Sequence, residues 1–139
     1  MRQKLNMIVL GVRDVLSSVA FYEALGWKRS ASGSDEFALF DLGGVALALL
    51  PRHAVADDAR LTDHETGGFA GFALAYIAHS SDDVYRIIAK AEELGATVTR
   101  PAKTTPWGHN GYFTGIDGHL IEVLYEDGWK FDDRDNLVL

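Results

Sequence analysis

Apolar residues run almost unbroken from Leu5 to Val12, "LNMIVLGV", a β-branched stretch that predicts a buried strand. Asp14 then offers a side-chain cap, and Val15, Ser18, Tyr22 and Leu25 recur at helical spacing until Gly26 stops the helix. "FALFDL" (37–42), Gly43-Gly44 and "VALALL" (45–50) read as strand, tight turn and strand. The polar segment 51–68 is longer than most connections in compact domains, and predicts a short helix or a mobile flap. "FAGFALAYIAH" (69–79) is a further strand. Ser80 or Ser81 caps the next helix, whose Val84, Ile87, Ile88, Ala91 and Leu94 form one apolar stripe ending at Gly95. "ATVTR" (96–100) reads as a short strand broken by Pro101. A loop over 101–110 then carries Trp107-Gly108-His109-Asn110 to a closing hairpin, "GYFTGIDGHLIEVLY" (111–125), and an aromatic tail.

This order occurs twice. "EALGW" (23–27) answers "EELGA" (92–96), and "LGGVALALL" (42–50) answers "IDGHLIEVL" (116–124), which sets Gly44 against Gly118 and Ala48 against Glu122. Two βαβββ units account for nearly the whole chain and predict an α+β fold. Module one covers about 4–50, the connector 51–68, module two about 69–125 and the tail 126–139.

Composition narrows the function classes. The 139 residues suit one domain with a real core. The absence of cysteine removes disulfides, thiolate metal sites and a cysteine nucleophile. A net charge of −7 argues against general nucleic-acid binding, which relies on a basic surface. No apolar run is long enough to span a bilayer, and the N-terminus lacks the pattern of a signal peptide, so a cytoplasmic location is expected.

Within this frame Glu122 stands out, a carboxylate flanked by Leu120, Ile121, Val123, Leu124 and Tyr125. An unpaired buried carboxylate costs several kcal/mol, so a partner, a metal or a raised pKa is expected. Tyr76, Tyr112 or an arginine are the partners that come into question.

The segments 10–27 and 111–125 resemble the vicinal oxygen chelate superfamily of glyoxalases, bleomycin-resistance proteins and extradiol dioxygenases. The resemblance implies two tandem βαβββ modules forming a curved mixed β-sheet cup with helices on the convex face, and a homodimer. Enzymes of that superfamily commonly hold a divalent metal through His, Gln and Glu on the cup wall. The matching positions here are Met7, Ala48, Phe72 (or, within one residue, Gly71 or Ala73) and Glu122. Only Glu122 can ligate, and a catalytic metal needs several oxygen or nitrogen donors, so no metal or other cofactor is expected. The histidines do not replace the missing set. His53, His64, His79 and His119 read as solvated, whereas His109 follows Trp107-Gly108 where this fold places a pocket rim.

In the family register, strand alternation turns Met7 and Val9, Ala46, Ala48 and Leu50, Phe72, Leu74 and Tyr76, and Leu120, Glu122 and Leu124 toward the cup. It leaves Ala73, Ala75 and Ile77 under the second helix. The expected ligand-binding set is Met7, Ala48, Phe72, Tyr76, Trp107, His109, Tyr112 and Glu122, although the same alternation would suit a filled core. Three functions compete. A metal-independent small-molecule binder ranks first. A glyoxalase-type lyase or isomerase, using displaced ligands or Glu122 as general base, comes second, and a non-catalytic dimeric scaffold third.

Overall fold

The computed structural model describes residues 1, 3, 5–63, 69–70 and 72–138. His64 and Gly71 lie outside the described residues. The chain divides into two compact units, Met1–Thr66 and Gly67–Leu139.

The first unit contains β1 (Met7–Val12), α1 (Val15–Ala24), β2 (Arg29–Ser34), β3 (Phe37–Asp41), β4 (Ala46–Pro51) and α2 (Arg52–Asp58). Its sheet runs β1-β4-β3-β2, with β1 parallel to β4 and the other pairs antiparallel. Asp14 caps α1, its carboxylate accepting from the Ser17 N–H at 2.7 Å. Gly43 and Gly44 both take the left-handed backbone that a tight β3–β4 turn requires. Helix α1 buries Val15, Ser18, Val19 and Tyr22 over β3 and β4, where Tyr22 stacks on Trp27 at 5.1 Å. The segment after β4 does form the expected short helix, α2.

The second unit repeats the order with β5 (Leu74–Ile77), α3 (Ser81–Glu93), β6 (Thr97–Thr105), β7 (Gly108–Thr114) and β8 (Leu120–Tyr125). Its sheet runs β5-β8-β7-β6, again with one parallel pair, β5 with β8. Ser80 is the cap of α3, accepting from the Asp83 N–H at 3.1 Å. Val84, Ile88 and Ala91 of α3 are buried over β6, β7 and β8, together with Phe113 and Val123. Burial contributes about 1.5–3 kcal/mol for each of the larger side chains, Val84, Ile88, Phe113 and Val123. Gly111 lets α3 come this close: a Cβ there would overlap Ile88 Cδ1 and stand 2.8 Å from the Ala102 nitrogen.

Two expectations fail in this unit. The stretch 101–110 is not a loop, since β6 continues to Thr105 and β7 begins at Gly108. Pro101 is tolerated because β6 is an edge strand whose pairing shifts between Arg100 and Lys103, so no ladder bond is asked of the proline nitrogen. Ala73, Ala75 and Ile77 do not lie under α3, because the ladder sets Ala75 level with Glu122 and Ile77 level with Leu124, on the face away from the helix. In the tail, β9 (Lys130–Phe131) and β10 (Leu137–Val138) form a small hairpin. Its Asp135 pairs with His79 at 3.0 Å, and its Phe131 packs on the His79 ring.

Candidate functional site

Side chains paired across a strand ladder share a face, so the register of the second unit decides what surrounds Glu122. Glu122 lies level with Tyr112 on one side and Ala75 on the other. Tyr112 in turn lies level with Arg100. These residues stand on the face opposite α3, with Asn110 two residues before Tyr112 and Lys103 beside Asn110.

The polar groups there join into one chain of contacts. The Tyr112 hydroxyl donates to Glu122 Oε1 at 2.6 Å, and Asn110 Nδ2 donates to the same oxygen at 2.9 Å. Arg100 Nη2 donates to Asn110 Oδ1 at 2.7 Å, and the guanidinium lies 4.8 Å from the centre of the Tyr112 ring. Asn110 therefore bridges an acid and a base, with its amide orientation fixed by both. Its bond to Glu122 and partial burial push the Tyr112 phenol up, and the Glu122 charge adds to this, while Arg100 opposes it. The acid thus has partners in the fold: Tyr112, as expected, and Asn110, which sequence reasoning missed.

The remaining expected residues separate. Tyr76 lies level with Val123, on the α3 side, where burial and the charges of Asp135 and Asp83 push its phenol up. It is not a neighbour of Glu122, because parity counted along β5 was out by one relative to the ladder. His109 is also on the α3 side, level with Thr104, and its Nδ1 lies 3.3 Å from the Tyr85 hydroxyl of α3. His109 therefore does not share the Glu122 face. Phe72 precedes the paired part of β5 and is 47% exposed, and Trp107 sits in the β6–β7 turn at 75%.

In the first unit Met7 and Ala48 do share a face. Ala48 is level with Val9 and Leu39, and these larger neighbours on either side leave it fully buried. The repeat can now be compared pair by pair. Leu39–Ala48 in the first unit and Tyr112–Glu122 in the second are equivalent cross-strand pairs, one apolar and one polar. Met7 lies two residues before Val9, so its counterpart lies two before Ala75, at Ala73. Among the described residues no group of three or more His, Asp or Glu side chains is placed to hold a metal ion. Among them, too, no helix is long and apolar enough to cross a membrane.

The model of the Glyoxalase/Bleomycin resistance protein/Dioxygenase superfamily matches residues 4–123. A glyoxalase-related enzyme from Fulvimarina pelagi has a similar structure, with a TM-score of 0.87 at 24% identity over 99% of this chain and 98% of that one. A glyoxalase/bleomycin resistance protein/dioxygenase from Nocardioides gives 0.71 at 25% identity, over 92% and 87% of the two chains. Lactoylglutathione lyase from Agrobacterium tumefaciens gives 0.65 at 19% identity, over 95% and 100%. No curated protein matches the chain.

Proposed function

Because this chain belongs to the Glyoxalase/Bleomycin resistance protein/Dioxygenase superfamily, we propose that it binds a small molecule on the Glu122 face of its second unit, and does so without a metal. The observation that carries this reading is the shared load on Glu122 Oε1, which accepts from both Tyr112 and Asn110 beside the small, exposed Ala75. A pre-ordered polar cluster flanked by apolar side chains is the usual make-up of a ligand site. Leu120, Leu124 and Ile77 are the apolar neighbours on that face.

The divalent metal implied by the family does not suit these residues. A catalytic site needs at least three nitrogen or oxygen ligands, and Met7, Ala48 and Ala73 provide no side-chain donor. Glu122 Oε1 already accepts two hydrogen bonds from within the fold. The same reading includes a homodimer, supported by the edge position of β5 and the exposed Phe72 and Tyr76 near it.

Backbone-amide NMR of the labelled chain, titrated with a set of small aromatic compounds in the presence of chelator, tests the proposal. Shifts clustered at 110–112 and 122 support it. Shifts confined to other surfaces, or none at all, overturn it.

A further inference from the structure

The hydrogen bonds on the Glu122 face satisfy the acid but not the base. Arg100 Nη2 reaches Asn110, yet Nη1 is buried and has no hydrogen-bond partner among the described residues. Among those residues no carboxylate stands at ion-pair distance from Arg100 either. An unpaired charged donor shut away from water carries a large desolvation penalty, so native structures rarely keep one without an acceptor. Lys103, level with Asn110 and exposed, adds a second positive charge to this face.

Building on the proposed binding function, we infer that the ligand is a monoanionic carboxylate on an apolar body, with its oxygen accepting from Arg100 Nη1. Guanidinium and carboxylate match in geometry and form strong charge-assisted bonds. A dianion fits less well, because Glu122 shares Asn110 with Arg100 and repels a second charge. The net charge of −7 repels anions at long range, but solvent screens it beyond about 10 Å, so attraction has to be local. The role of Glu122 changes accordingly. It holds Asn110 and Tyr112 in place, and these hold Arg100.

Benzoate, benzamide and benzylamine share a shape and differ in charge, and each is titrated into the full-length chain with backbone-amide and arginine Nε NMR as the readout. Benzoate is expected to bind at least about ten-fold tighter than benzamide, the increment of a charge-assisted hydrogen bond. Arg100→Gln should bring benzoate to the level of benzamide, and Arg100→Lys, which keeps the charge, should retain part of the preference. An unchanged preference in Arg100→Gln, with native spectral dispersion, overturns the inference, as does tightest binding of benzylamine. Benzamide or benzylamine moving the 110–112 and 122 signals more than benzoate does would sink the carboxylate inference and leave binding on this face intact. Silence from all three compounds at those signals removes both.

Discussion

The Tyr112 hydroxyl and Glu122 Oε1 meet at 2.6 Å across directly opposed positions of β7 and β8. The equivalent pair in the first unit, Leu39 and Ala48, is apolar. One ladder position therefore accepts either a matched polar pair or a matched apolar pair. A mismatched pair leaves a carboxylate or a phenol without its partner.

Tyr112→Phe should destabilise the protein by about 1.5–3 kcal/mol, the range for losing a hydrogen bond to a charged group. The double change Tyr112→Leu with Glu122→Ala should cost less than the sum of its two single changes, because no group is stranded. Urea unfolding of Tyr112→Phe and of the four proteins in this cycle measures both. Additive losses would show that the two side chains are not coupled.

The Tyr112 phenol is raised, first by its bond to Glu122. A phenol raised in the folded state contributes stability that is fully present below its unfolded pKa of about 10 and is lost as pH climbs through the higher folded value. Selective carbon-13 labelling of tyrosine should show Tyr112 titrating later than an unperturbed phenol. In Glu122→Gln its titration should move down, because a neutral amide oxygen accepts more weakly than a carboxylate and carries no charge to oppose the phenolate. A Tyr112 curve identical in the two proteins would contradict the assigned hydrogen bond.

Gly111→Ala should cost about 1–3 kcal/mol, since the new methyl overlaps Ile88 and the Ala102 backbone. Adding Ile88→Val removes the Cδ1 in the way and should recover only part of the loss, because the backbone atoms of Ala102 remain. Thermal unfolding of the single and double variants provides the comparison. Full recovery would mean that the backbone yields where close packing says it does not.

Much of this fold is legible in the sequence because local chemistry agrees with tertiary structure. Asp14 and Ser80 cap where they should, Gly44 and Gly118 take matching left-handed turns, and Val84, Ile88 and Ala91 form the buried stripe of α3. The site is legible only in part. Glu122 and Tyr112 belong to one hairpin, whose alternation pairs them without further information. Arg100 and Asn110 escaped notice because Pro101 suggested a strand break, and a proline at a shifted edge position is no break. Extending β7 back by alternation from Tyr112 would have placed Asn110 with the acid and His109 on the far side. Tyr76 was misplaced for a different reason: parity along β5 has meaning only relative to β8, and ladder register is a tertiary property.

Addition of Zn²⁺, Mn²⁺ or Ni²⁺ to chelator-treated protein should leave the thermal midpoint unchanged, since Glu122 is the one donor among the family's ligand positions in this chain. A cation that binds the folded state at a hundred times its Kd stabilises by about 2.7 kcal/mol, a shift that calorimetry readily detects. A rise of that size would contradict metal-independent binding.

The most direct measurement is an amide-shift titration with benzoate, run once with chelator and once with added divalent metal. The account predicts the same shifts at 110–112 and 122 in both runs, with the same affinity. Shifts at those residues that require the metal, or binding that leaves them unmoved, would contradict it.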